Sequence, residues 1–315
     1  MGHELEPMLS AALALFLAVA VHPQDKPVPT FAAGVDIVSL SLAVTDNHGR
    51  PVAKLGAEDI TLLEDGVPQE ISLFAQEEWP IRLAVLIDSS GSMYQALPVA
   101  KRAATRLVRS LHPADEAQVS RFNRGLELLQ DSTSDKDALE RAIKRIEPAG
   151  DTALYNALYV TLKDLARTRR DDLARRAIVL LTDGEDTASM VSDDQLLDLA
   201  RRAGVVVYTI GLLTPTAAGE RPASVPTYIL TALARETGGR AFFPRSLSEL
   251  DSAYDGIARE LRTLYGVGYV PRNPRADGGW RRIAIQARQG NLQVRCRTGY
   301  YAADGGQRAS APPSR

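Results

Sequence analysis

Between Ile81 and Leu264 the chain alternates two kinds of segment, and this alternation constrains the fold more than any other feature. Short apolar runs ("IRLAVLI", "AQVSRF", "LELLQ", "AIVLLT", "VVVYTIG", "RAFFP") are separated by stretches whose apolar residues recur every three or four positions. One such stripe is Ala96, Ala100, Ala103, Leu107 and Leu111; a second is Leu247, Leu250, Tyr254, Ile257, Leu261 and Leu264. A strand that is apolar along its whole length must be covered on both faces. Strands joined by helices run parallel, and the helices supply that cover. The fold class is therefore α/β: a Rossmann-like, mainly parallel sheet with helices on both faces. Local signals agree. Ser192 and Gln195 stand at capping-box spacing, Gly204 sits where that helix should stop, and Ser246 with Glu249 opens another helix.

The flanks read differently. Residues 35–77 hold "VDIVSLSLAVTD", the turn residues "NHGRP", and "DITLLEDGVPQEISLFAQ", in which two strands surround an Asp65-Gly66 turn. Residues 265–303 hold "YGVGYVP", "WRRIAIQAR" and "LQVRCRTGYYA". Neither flank is large enough to bury a core by itself. We expect the two to pack as one β-sandwich with the 78–264 domain inserted between them. Met8–Val21 is apolar but too short to span a bilayer, and Ala18-Val19-Ala20 fits a small-x-small cleavage site. Residues 1–22 are thus expected to be a signal peptide, despite two glutamates where basic residues are usual. Residues 304–315 are expected to be disordered. The mature chain is expected to be exported (periplasmic, cell-surface or secreted), with no integral membrane span.

Composition removes several chemistries. Acidic and basic residues nearly cancel, at 39 against 37, and no block of like charge marks a nucleic-acid surface. The arginines of "RTRRDDLARR" (Arg167 to Arg176) are interrupted by aspartates and read as a solvated helix end. His3, His22, His48 and His112 are the only histidines, and none has ligand-like spacing. Cys296 is the only cysteine, which excludes structural thiolate zinc and intramolecular disulfides. It alternates with Arg295 and Arg297, so it should face inward. Trp79, Tyr155, Tyr159 and Tyr208 lie at strand or apolar-face positions and read as core.

Ligands of open α/β sheets bind beyond the carboxyl ends of the strands. Three loops there carry oxygen donors: Asp88-Ser89-Ser90-Gly91-Ser92 after the first strand, "GDTALYNAL", where Thr152 opens a helix, and "LLTDGED", where Asp183 ends a strand. A tight turn at Gly91 aims Asp88, Ser90 and Ser92 to one side and leaves Ser89 pointing away. Two carboxylates and three hydroxyls suit a hard divalent cation of the magnesium type, and their modest charge favours an open coordination position.

D-x-S-x-S after an apolar strand, a distant G-D-T-A-L and T-D-G, in that order, resemble the von Willebrand factor A domain over residues 80 to 264. The resemblance implies a metal-ion-dependent adhesion site. Ser90 and Ser92 would bind metal directly, while Asp88, Thr152 and Asp183 would bind directly or through water. The cation would be Mg2+, with Mn2+ or Ca2+ as alternatives, and a protein partner's Asp or Glu carboxylate would complete the site. Tyr94, Glu185 and Asp186 are candidate partner contacts. The flanks look similar to bacterial, predicted-exported proteins that carry this domain between β-rich segments. The expected function is an exported, metal-dependent protein-binding module. Alternatives are a structural envelope protein with a purely stabilising metal, a chelatase-type accessory subunit, or an enzyme. The last lacks support: no G-x-S-x-G, P-loop or G-x-G-x-x-G occurs, and no histidine is placed to activate Ser90 or Ser92. No catalytic residue is assigned.

Overall fold

The computed structural model describes residues 37–76, 79–167, 174–183, 185–212 and 225–303. The expected signal peptide and the expected disordered tail lie outside them. Among the described residues no helix is long and apolar enough to cross a membrane.

The central sheet has six strands. In chain order they are β5 (Ile81–Asp88), β6 (Glu116–Phe122), β7 (Leu126–Thr133), β8 (Arg175–Thr182), β9 (Val206–Gly211) and β10 (Ala241–Phe242). Their spatial order is β10-β9-β8-β5-β6-β7. All pairs are parallel except β6–β7, a hairpin at the edge. Six helices cover it: α1 (Leu97–Ser110), α2 (Lys136–Lys144), α3 (Leu154–Arg167), α4 (Asp193–Ala203), α5 (Val225–Thr237) and α6 (Leu247–Arg262). Successive residues of β5 serve opposite cores. Leu83, Val85 and Ile87 pack with α1, α2 and α6, whereas Ala84 and Leu86 pack with α3, α4 and α5. This two-sided burial is the reason the strand carries no polar residue before Asp88 other than Arg82, at its start. Helix ends follow their local signals. Ser192 and Gln195 form a capping box, Gly204 closes α4 at φ +62°, and Ser246 accepts from the Glu249 amide.

The flanking strands are β1 (Val38–Asp46), β2 (Ile60–Glu64), β3 (Val67–Gln69) and β4 (Ile71–Ala75) on one side of the α/β unit. After it come β11 (Tyr265–Tyr269), β12 (Trp280–Ala287), β13 (Leu292–Arg295) and β14 (Gly299–Tyr301). They form two four-stranded sheets, β13-β1-β11-β4 and β14-β12-β2-β3, and each sheet takes strands from both flanks. One core lies between them, built from Val38, Leu40, Leu42 and Val44 of β1, Ile60 and Leu62 of β2, Tyr265, Val267 and Tyr269 of β11, and Ile283 of β12. Neither flank owns a sheet.

The structure corrects two strand readings. "VPQEISLFAQ" is two strands, because the chain changes sheets at Glu70: β3 pairs with β2 and β4 with β11. "LQVRCRTGYYA" likewise breaks at 296–298, with β13 on β1 and β14 on β12. The crossing segment lies against Gly238, where an added Cβ would stand 2.7 Å from the Arg297 nitrogen and the Cys296 carbonyl carbon.

A third correction concerns Arg175, read above as part of a solvated helix end. It begins β8 and is buried, its Nη2 donating to the Leu264 carbonyl at 2.6 Å and its guanidinium lying over the Trp79 ring. The amino ends of the parallel strands therefore face the sandwich. On that side Arg295 pairs with Glu260, the Tyr208 hydroxyl donates to the same carboxylate at 2.9 Å, and Thr298 donates to Glu236 at 2.6 Å. Ala43 of β1 belongs to the α/β core, which explains why β1 loses its alternation toward its end. The sandwich occupies one edge of the central sheet and leaves the carboxyl ends of the strands open.

Tyr208 is fully buried; Trp79, Tyr155 and Tyr159 are half-buried. Cys296 packs against the sandwich core, and burial pushes its thiol up to about 12.

Candidate functional site

The open edge gathers the three oxygen-bearing loops. Asp88 ends β5 completely buried, and its carboxylate is held at both oxygens. Oδ1 accepts the Ser90 amide at 2.8 Å, and Oδ2 accepts the Thr182 hydroxyl at 2.6 Å. Thr182 ends β8, the strand beside β5; the register Ile87↔Leu181 brings the two strand ends level. Ser89 points away, its hydroxyl donating to the Phe122 carbonyl at 3.0 Å. Ser90 and Ser92 turn back toward each other with their hydroxyl oxygens 3.0 Å apart. Ser90 is buried and Ser92 exposed, so the pair sits at the mouth of the cluster.

The second loop is tied to the first through its backbone. The Gly91 amide donates to the Gly150 carbonyl at 2.9 Å, and the Ala149 amide to the Ser89 carbonyl at 2.7 Å. Thr152, two residues further on, is buried. The third loop closes on the second: the Thr187 and Ala188 amides donate to the Thr152 carbonyl at 2.9 and 3.0 Å, and the Thr152 amide to the Thr187 hydroxyl at 3.1 Å. Asp183 is half-buried at the start of this third loop.

Electrostatics binds these residues into one unit. Burial raises the Asp88 carboxyl to about 6, against the lowering effect of the Thr182 and Ser90 hydrogen bonds; the charge of Asp183 raises it further. The two carboxylates thus feel each other. Among the described residues no basic side chain is bonded to the Asp88 carboxylate, and burial beside a second carboxylate disfavours its charged form.

Two of the three candidate partner contacts lie on the surface. Tyr94 and Glu185 are exposed. Asp186 is turned inward instead: its Oδ1 accepts the Tyr155 amide at 3.3 Å and the Ser189 hydroxyl at 2.7 Å. The first turn of α3 is therefore capped from the third loop. Ser189 accepts the Asn156 amide at 3.0 Å, and Asn156 in turn accepts the Met190 and Val191 amides at 3.1 Å. Sequence reading missed Thr182, Asn156, Thr187 and Ser189. Only strand register or a neighbouring loop gives them a role, and neither appears in a local motif.

Among the described residues no three His, Cys, Asp or Glu side chains form a metal-binding group. The donors proposed from the sequence are of mixed type, two carboxylates and the hydroxyls of Ser90, Ser92 and Thr152. Hydroxyl oxygens 3.0 Å apart match one edge of an octahedron with metal–oxygen bonds of ~2.0–2.1 Å. The residues present fit a magnesium-sized cation.

Residues 83–185 match the sequence profile of the von Willebrand factor type A domain. The chain is similar to an uncharacterized protein of Synechocystis sp., 30% identical over 138 residues, which are 42% of this chain and 32% of that protein. It is also similar to a UPF0353 protein of Mycolicibacterium paratuberculosis, 28% identical over 225 residues, 64% of this chain and 66% of that one. The chain thus spans less than two thirds of either relative. A solved structure described as von Willebrand factor type A from Catenulispora acidiphila is similar at 12% identity and a TM-score of 0.49, covering 88% of this chain and 76% of that chain.

Proposed function

We propose that the α/β unit is a metal-dependent protein-binding module, exported by its apolar leader, whose open edge holds a divalent cation that a partner carboxylate completes. The observation that carries this reading is the Ser90–Ser92 hydroxyl pair at octahedral-edge spacing beside a buried carboxylate to which no basic side chain is bonded among the described residues. Ser90 and Ser92 would bind Mg2+ directly, with Thr152 and Asp183 contributing from the other two loops. Both Asp88 oxygens already accept hydrogen bonds, which favours Asp88 acting through a bound water. A cation there would supply a Lewis-acidic position for an incoming carboxylate. The chain's own residues fix the loops that aim it.

Binding rather than catalysis is supported by the surroundings of the serines. Among the described residues, His48 lies in the turn after β1 and His112 follows α1 on the sandwich side. Neither of these two histidines stands at Ser90 or Ser92.

The test is Mn2+ binding followed by electron paramagnetic resonance, with wild type, Asp183→Ala and Ser92→Ala. Wild type should bind about one ion, and each variant should weaken binding by about tenfold or more. Equal binding by all three would defeat the metal reading. Metal binding that stabilises the fold but never promotes binding of a carboxylate-bearing protein would favour the structural alternative.

A further inference from the structure

One face of the edge hairpin β6–β7 is left partly uncovered. Ala117 and Val119 pack in the core of α1, α2 and α6, so Gln118, Ser120 and Phe122 turn to the opposite face, where α3 lies. Register sets Leu128 opposite Ser120 and Leu126 opposite Phe122, which brings both leucines to that same face. Phe122 is buried there, but Leu128 is 52% exposed and Val160 of α3 is 51% exposed. Between hairpin and helix runs a cleft of about 420 Å³, and every helical residue on its wall comes from α3.

The floor of this cleft is polar. Ser120 is only 4% exposed and Gln118 is half-buried, and among the described residues neither side chain makes a hydrogen bond. Buried polar side chains are ordinarily paired, so both have donors to offer to whatever enters. The charges are sorted along its length. Helix α3 opens at the carboxyl edge of the sheet and runs back to the amino edge, where β6 begins. Arg167 therefore lies toward Gln118, and Tyr159 toward Leu126. Lys163 stands between them, its ammonium 5.4 Å from the Tyr159 ring centroid. Among the described residues neither Lys163 nor Arg167 has an ion pair. These two cations face the single carboxylate of Asp164, which leaves the lining a net charge of +1. The far end, at Leu126, Leu128 and Val160, is apolar.

We infer that this cleft binds a small amphipathic carboxylate of the medium-chain fatty-acid type. The head accepts hydrogen bonds from the Gln118 amide and the Ser120 hydroxyl, within the positive field of Lys163 and Arg167. The chain lies along Leu126, Leu128 and Val160. An apolar cleft of this size with a few placed polar groups has the form of a small-molecule site. Its lining shares no residue with the three oxygen-bearing loops, so ligand binding here does not depend on a metal there.

Calorimetric titration of the full chain with decanoate, hexanoate and decanol, in magnesium and in chelator, tests the inference. Decanoate should bind saturably, about tenfold or more tightly than hexanoate, which buries fewer methylenes, or decanol, which lacks the charge. The affinities should be the same in both buffers. Leu128→Asp should weaken decanoate about tenfold or more, and Ser120→Ala about threefold or more. The double variant Lys163→Gln/Arg167→Gln should bring decanoate down to the level of decanol. An unchanged melting temperature in each variant shows that the fold is intact. Absence of saturable binding, or equal decanoate affinity in wild type and all variants, overturns the proposal. A dimer in sedimentation that Leu128→Asp dissociates and that binds no decanoate also overturns it, and assigns the cleft to a second copy of the chain.

Discussion

Asp88 is the residue whose chemistry is worked most directly from the structure, and replacing it with asparagine isolates that chemistry. In the folded protein burial raises its carboxyl from 3.8 to about 6. The native state therefore holds this proton more tightly than the unfolded chain between those pH values. Stability from this group is fully present below 3.8 and is lost as pH rises through about 6. At about 1.4 kcal/mol per pH unit, the metal-free protein loses about 3 kcal/mol to this one group by neutral pH. Asparagine mimics the protonated acid: its oxygen accepts the Ser90 amide, and its NH2 can donate to the Thr182 hydroxyl. Other carboxyls are shifted the opposite way, among them Asp46, Asp135, Asp198 and Glu236, and they act equally in both proteins. The difference between wild type and Asp88→Asn thus reports the Asp88 charge together with its coupling to Asp183. Urea unfolding in chelator from pH 4 to 7.5 should show the variant gaining about 2.4 kcal/mol on wild type, most of it between pH 4 and 6. Adding magnesium at a hundred times the wild-type dissociation constant should return about 2.7 kcal/mol to wild type and clearly less to the variant. A difference that stays flat with pH would refute the reasoning about buried charge, whatever the metal does.

Four further outcomes follow from the packing. Glu260→Ala leaves the buried Tyr208 hydroxyl without its acceptor and Arg295 without its ion pair, and should lower unfolding stability by about 3–5 kcal/mol in chemical denaturation. Gly238→Ala forces a side chain at φ +85° into the backbone of Cys296 and Arg297, and should lower stability by about 3 kcal/mol. Ser192→Ala removes one half of the α4 capping box and should reduce stability by about 1 kcal/mol, read as a small drop in melting temperature. Asp186→Ala uncaps α3 and frees the third loop, so Mn2+ affinity should fall although Asp186 is not itself a donor in the cluster; unchanged affinity would show that the cap does not order the site.

Much of the α/β unit is legible in the sequence because its strands are buried on both faces, which forces continuous apolar runs. Leu83 to Ile87 announce themselves in that way, and the capping residues Ser192, Gly204 and Ser246 mark helix ends by local chemistry alone. The three oxygen-bearing loops that hold Asp88, Ser90, Ser92, Thr152 and Asp183 were legible at two strand ends and one helix start, since side-chain chemistry and element position are both local. Two kinds of fact were hidden. One is the change of sheet at Glu70 and at 296–298, because strand pairing is long-range. The other is the set of partners that aim the donors.

The sequence by itself determined that the strands run mainly parallel beneath helices and that oxygen donors collect at their carboxyl ends, because residue polarity and spacing act over a few neighbouring positions. Tertiary structure alone decided that Thr182 would hold Asp88, that Asp186 would cap α3 instead of facing outward, and that the flanks would interleave at the opposite edge. Those outcomes depend on strand register and on long-range contacts between segments as far apart as Ser39 and Arg297, and no local rule encodes them.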